Sequence, residues 1–466
     1  MIWLLIACQS HTQKKENFTH PLANTPIPTV EAATEYTPTI ATREKLSNGL
    51  SVHLIQQQKL PLVDISFVLP GGFLSDEEKW GRASVASHLL RKSSMQYSLR
   101  DRSRQLRKHG AEISVFVDEN HTTVQLVSHK DALDEVFPIV ADMIFAPAFD
   151  PIEWDSFLLY RQSELEQSYE DTRSLARTLQ NLIIFPSDHP MHRLGQGSPS
   201  RLQSLNREAV QNWHMSRLDP TKSAVLAVGD VDMEALRQKL NTYFSWPANV
   251  WTPPDLSWEG ELRQGMFFID VPNEQQTNLR VIIPNTLESN TSKMLEAHVL
   301  GVAMGGSFTS RLNSKLREEK GYTYGASCSF YESAVGTFLQ ANTSVRRDDS
   351  AAALFDLFLT LDSAKEGFSD TEWQKSTNTT RNDIISQYES RANMLGALAE
   401  IWRQQQDSDH NVQLLQKMRS FDSTAPTDAH PLFDYRKGVV LIAGDAAKID
   451  LSDWEIQNID IEELLK

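Results

Sequence analysis

Four short patterns occur twice, in the same order, along this chain of 466 residues. The first pair is Phe67–Pro70 and Val281–Pro284, both apolar runs that end in proline. The other pairs are Leu106–Ala111 with Leu316–Gly321, Phe149–Trp154 with Phe368–Trp373, and Ala224–Asp230 with Val439–Asp445. The copies are separated by about 210–220 residues, a long-period internal repeat. Four matches in one order predict two copies of a single domain.

The elements of each copy are grouped by type rather than strictly alternating. In the first copy we predict a strand near 62–70, helices at 81–93 and 98–109, strands at 111–118 and 121–128, helices at 130–145 and 151–180, and a closing strand at 223–228. Gly110 should end the second helix. This grouping predicts an α+β fold of two homologous α/β-sandwich domains, each a mostly antiparallel sheet packed against helices.

Composition shifts suggest where the domains begin and end. We expect a truncated lipoprotein signal at 1–8, a flexible tether at 9–40, an N-terminal domain at 41–245, a linker at 246–262 and a C-terminal domain at 263–466. Leu5–Cys8 matches a lipobox, so Cys8 is the expected lipidation site. The predicted location is the periplasmic side of a bacterial cell envelope, by lipid anchor or as a soluble periplasmic protein.

Charge and cysteine content exclude several kinds of protein. The net charge of −16 argues against a nucleic-acid binder, which needs a basic surface. With only two cysteines, a zinc site built from cysteine or a disulfide framework is not possible. The chain should therefore be held together by its apolar core.

Several segments together resemble one known family. They are Leu46–Leu50 before a strand, Asp188–Pro190, Val228–Asp230 and Leu316–Gly325. In this combination the chain resembles the insulinase/pitrilysin-type zinc metallopeptidases, the inverzincins. The resemblance implies two similar halves that enclose a chamber, and peptide substrates that are held extended and cut.

The zinc motif of that family is degenerate here. Its H-x-x-E-H sequence places two histidines on one helix face to bind zinc, with a glutamate as general base. In this chain the corresponding positions are Ser84, Ser87 and His88. A serine hydroxyl is a poor neutral ligand and cannot act as a base near neutral pH. We therefore expect no zinc in this chain.

Other candidate ligands are weak. The resemblance places a further zinc ligand near Leu165, which is flanked by Glu164 and Glu166 in a polar helix, and we interpret both glutamates as solvated. His189 and His192 are separated by a proline, which favours a loop over a paired helix face. A self-sufficient zinc peptidase would need ligands that these patterns do not show.

The segment Gly305–Gly325 retains the other half of such a site. The resemblance implies that Arg317 grips a substrate carbonyl and that the Tyr324 hydroxyl stabilises the oxyanion. Arginine is a permanently charged donor, and a tyrosine hydroxyl can be directed at developing negative charge. The alternative reading is an exposed helix arginine and a core tyrosine.

These observations favour a non-catalytic subunit of a heteromeric peptidase. It would supply Arg317 and Tyr324 to a homologous partner subunit that carries zinc, with an extended peptide as substrate. The alternative is a lipid-tethered structural or peptide-binding scaffold with a vestigial site and no role in proteolysis.

Overall fold

A computed structural model describes residues 35–288, 291–421, 424–426 and 429–465. The described residues from 38 onward form one compact unit. Cys8, the predicted signal at 1–8 and most of the predicted tether lie outside the described residues, so lipidation stays a prediction. Across the described ranges, no helix is both long and apolar enough to cross a membrane.

The first sheet is built from residues between 42 and 229. Its strands are β1 Thr42–Lys45, β2 Ser51–Gln56, β3 Leu62–Pro70, β4 Glu112–Val117, β5 His121–His129 and β6 Ala224–Gly229. Their order across the sheet is β1-β2-β6-β3-β5-β4, and only β2 and β6 run parallel. Strand β3 lies inside the sheet, and its residues from Val63 to Pro70 are all buried.

The helices of this half follow the order expected from the apolar periodicity. They are α1 Arg82–Leu90, α2 Leu99–Lys108, α3 Leu133–Phe145, α4 Pro151–Ser168, α5 Thr172–Ile184, α6 Pro199–Gln203, α7 Arg207–Ser216 and α8 Met233–Tyr243. Helices α3 and α8 share a core cluster with the sheet, which includes Phe67, Phe137 and Leu240. A second cluster joins α1, α4 and α7.

The second half repeats this plan. Its strands are β7 Gly265–Asp270, β8 Gln276–Asn285, β9 Ala326–Ser333, β10 Gly336–Arg346, β11 Val439–Gly444 and β12 Ile456–Asn458. Their order is β12-β7-β11-β8-β10-β9, so β9 is an edge strand as β4 is in the first sheet. The helices are α9 Ser292–Gly301, α10 Ser350–Asp362, α11 Asp370–Ser386, α12 Arg391–Arg403, α13 His410–Arg419 and α14 Ile461–Leu464. The predicted α+β duplication is confirmed.

Each half covers a sheet of the other half with one of its helices. Helix α5 of the first half packs on β8 and β11, where Leu179 and Ile183 share a core cluster with Leu441. Helix α12 of the second half packs on β3 and β6. There Arg391 donates from Nε to the buried Asp64 carboxylate at 3.0 Å. This exchange explains why the described residues from 38 onward form one compact unit.

The predicted single helix at 151–180 is wrong, because the chain forms two helices there. Helix α4 ends at Ser168, and Asp171 starts α5 by accepting a hydrogen bond from the Ser174 amide at 2.6 Å. An aspartate at an N-cap satisfies an amide that has no partner inside the helix. The break frees α5 to pack on the second sheet instead of continuing α4.

Candidate functional site

The helix with the degenerate motif is held at its start by a buried carboxylate. Asp76 accepts hydrogen bonds from the amides of Gly81 and Ala83, at 2.9 and 2.8 Å. Ser84 and Ser87 follow on α1 and are both buried, and the Ser87 hydroxyl donates to the Ser84 carbonyl at 2.9 Å. The two serines are therefore part of the helix packing.

His88, the remaining histidine of the motif, is packed against an aromatic ring. Its imidazole stacks on Phe157 of α4 with 3.9 Å between the ring centroids. Burial, and then the nearby charges of Lys92 and Arg91, lower the pKa of His88 to about 4. The imidazole is therefore neutral at neutral pH, which suits a residue that packs on a ring.

An arginine of α4 occupies the space beside the first motif position. The Arg161 guanidinium donates from Nη1 to Glu164 at 2.8 Å, and Nη2 lies 3.4 Å from the Ser84 hydroxyl. The guanidinium carbon also lies 5.3 Å from the centroid of the Phe157 ring. Leu165, the position nearest the further ligand, is buried in the α1–α4–α7 cluster. In the first half the Arg161 guanidinium therefore lies beside the degenerate motif, and the apolar Leu165 packs in the same cluster as α1.

The remaining metal candidates do not come together. Glu166 accepts a hydrogen bond from Gln162 on the helix surface. His189 and His192 lie in the loop between α5 and α6. The His189 imidazole accepts a hydrogen bond from the Met191 amide, and the His192 imidazole is hydrogen-bonded to the Phe185 carbonyl. Among the residues that the structure describes, no three or more His, Cys, Asp or Glu side chains are grouped closely enough to hold a metal ion.

In the segment Gly305–Gly325, side-chain hydrogen bonds fix the backbone. Two π-helical stretches, Val302–Gly306 and Asn313–Glu319, flank a short loop. The Asn313 side chain donates to the carbonyls of Ser307 and Ala326, at 3.0 and 2.8 Å, and accepts from the Ala326 amide at 2.9 Å. Sequence reasoning missed Asn313, although an asparagine inside a helical segment is a usable signal of backbone bonding.

A glycine ends this segment in the left-handed region, as in the first half. Gly321 has a φ of 66°, and its counterpart Gly110 has a φ of 60°. Glycine takes this conformation without a steric penalty and so ends each helix before an edge strand. The chain turns at Gly321 and places Tyr324 two residues before β9.

Arg317 is held in place by three contacts. Its Nε donates to Glu318 at 2.7 Å, and its Nη2 donates to the Phe308 carbonyl at 2.9 Å. The guanidinium carbon lies 3.2 Å from the centroid of the Phe308 ring, a cation–π contact. Phe308 itself is 73% exposed. In the described structure Nη1 has no hydrogen-bond partner, so one donor edge of Arg317 is still available.

Tyr324 is the most exposed of the large apolar or aromatic side chains that the structure describes, at 97%. Within the described chain its hydroxyl has no partner. It lines a cavity of about 770 Å³ between the two halves, together with Asp171–Arg173 at the start of α5 and residues of the second sheet. No described hydrogen bond joins Tyr324 to Arg317, or either of them to Ser84–His88.

Comparison of the sequence with protein-family models identifies the family of this chain. Residues 52–182 match the model of the insulinase family (peptidase family M16), and residues 204–379 match that of the peptidase M16 inactive domain. The chain belongs to the insulinase family. The predicted resemblance is thereby confirmed.

Two sequence relatives of this M16 chain differ in how they are named. An uncharacterized zinc protease of Mycobacterium tuberculosis (strain ATCC 25618 / H37Rv) is 22% identical over 80% of this chain and 85% of its own length. The non-peptidase homolog YmxG of Helicobacter pylori is 18% identical over 60% of this chain and 66% of its own length.

Solved M16 structures share the fold at low identity. The peptidase M16 inactive domain from Pseudomonas fluorescens has a TM-score of 0.79 at 14% identity and covers 88% of this chain and 99% of that one. The first half of the periplasmic protease PqqL from Escherichia coli has a TM-score of 0.70 at 14% identity and covers 91% and 96%. Against whole PqqL, the match covers 93% of this chain and 50% of PqqL.

Proposed function

We propose that this M16 protein is a non-catalytic subunit that completes the active site of a homologous, zinc-bearing peptidase subunit. It supplies Arg317 to hold a carbonyl of an extended peptide and Tyr324 to stabilise the oxyanion. The zinc and the general base come from the partner. This chain alone cleaves no peptide.

One observation carries the proposal: the Tyr324 hydroxyl is exposed and has no partner in the described structure, at the mouth of a polar cavity. A tyrosine kept for packing would bury its ring and pair its hydroxyl. An oxyanion donor has to be free to meet its substrate, and one such donor contributes about 3–4 kcal/mol to the transition state.

Two further observations support a partner. The positions of the zinc motif are Ser84, Ser87 and His88, and the Arg161 guanidinium lies beside Ser84, so this chain lacks the glutamate and the second histidine of the motif. The chain also corresponds to half the length of PqqL, which is a protease. A second homologous chain would supply what the other half of a double-length M16 protein holds.

The test is co-expression with a homologue that carries an intact H-x-x-E-H motif, followed by cleavage of a quenched fluorescent peptide. Cleavage should require both chains. Arg317→Ala or Tyr324→Phe should lower kcat about 100-fold or more, as expected for loss of an oxyanion donor. Two matched substitutions on exposed helix faces, Arg107→Ala and Tyr160→Phe, should leave the rate within about twofold, as for surface changes away from a site.

Full activity in both Arg317→Ala and Tyr324→Phe would reject the complementation model. Recovery of a large, stable assembly without a peptidase subunit would favour the structural scaffold instead. Stoichiometric zinc in the isolated chain would overturn both readings, since it would require ligands outside the degenerate motif.

A further inference from the structure

Three arginines meet where α5 of the first half crosses the second sheet. Arg173 and Arg177 lie one turn apart on α5, and both are exposed. Arg280 lies beneath them on β8 and is only 4% exposed. Like charges one helical turn apart repel each other. The repulsion within this arginine cluster therefore destabilises the folded protein.

No carboxylate compensates the cluster within the described structure. Arg280 donates from Nη1 to the neutral Gln180 side chain at 2.6 Å, and its buried Nε has no partner. Burial, and then the charges of Arg177 and Arg173, lower the pKa of Arg280 to about 10. The guanidinium is still charged at neutral pH. A buried charge without a counterion is unfavourable unless a ligand supplies one.

Strand register joins the arginine cluster to the Tyr324 cavity. Arg280 on β8 lies directly opposite Asn342 on β10, and Asn342 lies opposite Ser327 on β9. Asn342 and Ser327 both line the cavity, and Arg173 lines it from the α5 side. Arg173 and the exposed tyrosine therefore line the same cavity, and Arg280 is paired with a residue that lines it.

A buried asparagine of β8 links the polar side chains of this surface. The buried Asn278 donates from Nδ2 to Asn342 Oδ1 and to the Ser344 hydroxyl, at 3.1 Å each. The oxygen of the Asn342 amide is thus occupied, whereas the buried Asn278 Oδ1 has no hydrogen-bond partner in the described structure. Two carboxylates also line the cavity: Asp171 is engaged as the cap of α5, and Glu274 stands at the opposite wall.

We propose that Arg173, Arg177 and Arg280 form a subsite for the carboxylate of an acidic residue in the extended peptide. Guanidinium groups bind carboxylates through paired, charge-assisted hydrogen bonds. The rest of this acidic chain repels such peptides, so the subsite selects where along a peptide the acidic residue sits. That this residue lies near the cleaved bond rests on the proposed function of Tyr324; binding of the carboxylate does not.

The test uses the isolated full chain and three fluorescein-labelled octapeptides of Gly and Ser. One carries a central Glu and an amidated C-terminus, one a central Gln and the same amide, and one a central Gln and a free C-terminal carboxylate. Anisotropy at low salt should show binding of the Glu peptide at least about tenfold tighter than that of its Gln twin, roughly 1.4 kcal/mol. The third peptide separates side-chain from terminal carboxylates.

The variant Arg173→Gln with Arg177→Gln should abolish the preference for Glu. The matched control is Arg107→Gln with Lys108→Gln, which removes the same charge from exposed positions of α2 and should keep the preference. Arg173 and Arg177 are exposed, as are the two control positions, so the double variant and its control should both stay folded. Equal binding of the Glu and Gln amides, or equal loss in the control, would overturn the subsite.

The outcomes also separate this inference from the proposed function. If the unmodified chain prefers the Glu peptide but activates no partner, the subsite is kept and the peptidase role is rejected. The preference for Glu should also persist in Tyr324→Phe. If the chain activates a partner but shows no preference for Glu, the peptidase role is kept and the subsite is rejected. Tighter binding of the free-carboxylate peptide alone would reject the side-chain subsite in favour of C-terminal capture.

Discussion

The degenerate motif on α1 and the segment Gly305–Gly325 have opposite surroundings. Ser84 and Ser87 are buried, 6% and 7% exposed, and each makes a hydrogen bond within the protein. Tyr324 is 97% exposed and has no hydrogen-bond partner within the described residues. In the first half the positions of the former chemistry have become part of the packing, whereas in the second half they have not.

The difference separates positions that serve packing from a position that does not. The apolar Leu165 belongs to the core of the first half, because burial of apolar surface stabilises the fold. A large exposed aromatic side chain with an unused hydroxyl gains nothing from folding. Its position needs another explanation, and a ligand or partner provides one.

The largest effect should come from placing a carboxylate at Leu165, a buried position near the expected further ligand. Leu165→Glu places a charge among Ala83, Phe157 and Trp154 and should destabilise the protein by about 4 kcal/mol or more. Chemical denaturation followed by fluorescence measures this. The control Ser163→Glu adds the same charge at an exposed position of α4 and should be nearly neutral. A stable Leu165→Glu variant that binds zinc would mean that the first half is still a metal site.

An intermediate effect is expected from the pH dependence of His88. Because burial lowers its folded pKa to about 4 from 6.5, the unfolded chain binds more protons between these values. Stability should therefore fall as pH drops from about 6.5 to 4, by about 1–2 kcal/mol for this half-buried group. His88→Phe, which can still stack on Phe157, should remove that part of the loss. His109→Phe on α2 serves as the control, and an unchanged pH profile in His88→Phe would contradict a buried, neutral imidazole.

The smallest effect on stability should come from the residue with the largest effect on activity. Tyr324→Phe should change the unfolding free energy by less than about 0.5 kcal/mol, as is usual for exposed positions. Asn313→Ala, by contrast, removes three backbone hydrogen bonds and should cost about 2 kcal/mol. Thermal unfolding of both variants makes the comparison. A large loss in Tyr324→Phe would mean that this tyrosine has a structural role after all.

Much of the fold could be predicted because its signals are local. The strand predicted at 121–128 is β5, and the helix predicted at 98–109 is α2, each within one residue of the observed ends. The one helix predicted at 151–180 failed at Asp171. The Asp171 cap is a local signal that the prediction overlooked, and the packing of α5 on the second sheet appears only in the fold.

Some residues of the candidate site could be found from the sequence, and others only from the fold. Arg317, Tyr324 and the degenerate positions could be named from spacing along the chain. The role of Arg161 beside Ser84 could not, because it depends on how α4 crosses α1. The arginine cluster was also missed, since Arg280 belongs to the other half and meets α5 only in the fold.

Short-range patterns in this chain are enough to predict the duplicated α+β architecture and to locate the degenerate motif at Ser84–His88 and the pair Arg317 and Tyr324. These features depend on periodicity, turn residues and spacing within one segment. The exchange of α5 and α12 between the halves is decided by tertiary structure alone. So is the placement of Arg161 and Arg280, because contacts between distant segments depend on how whole helices and sheets bury their apolar faces.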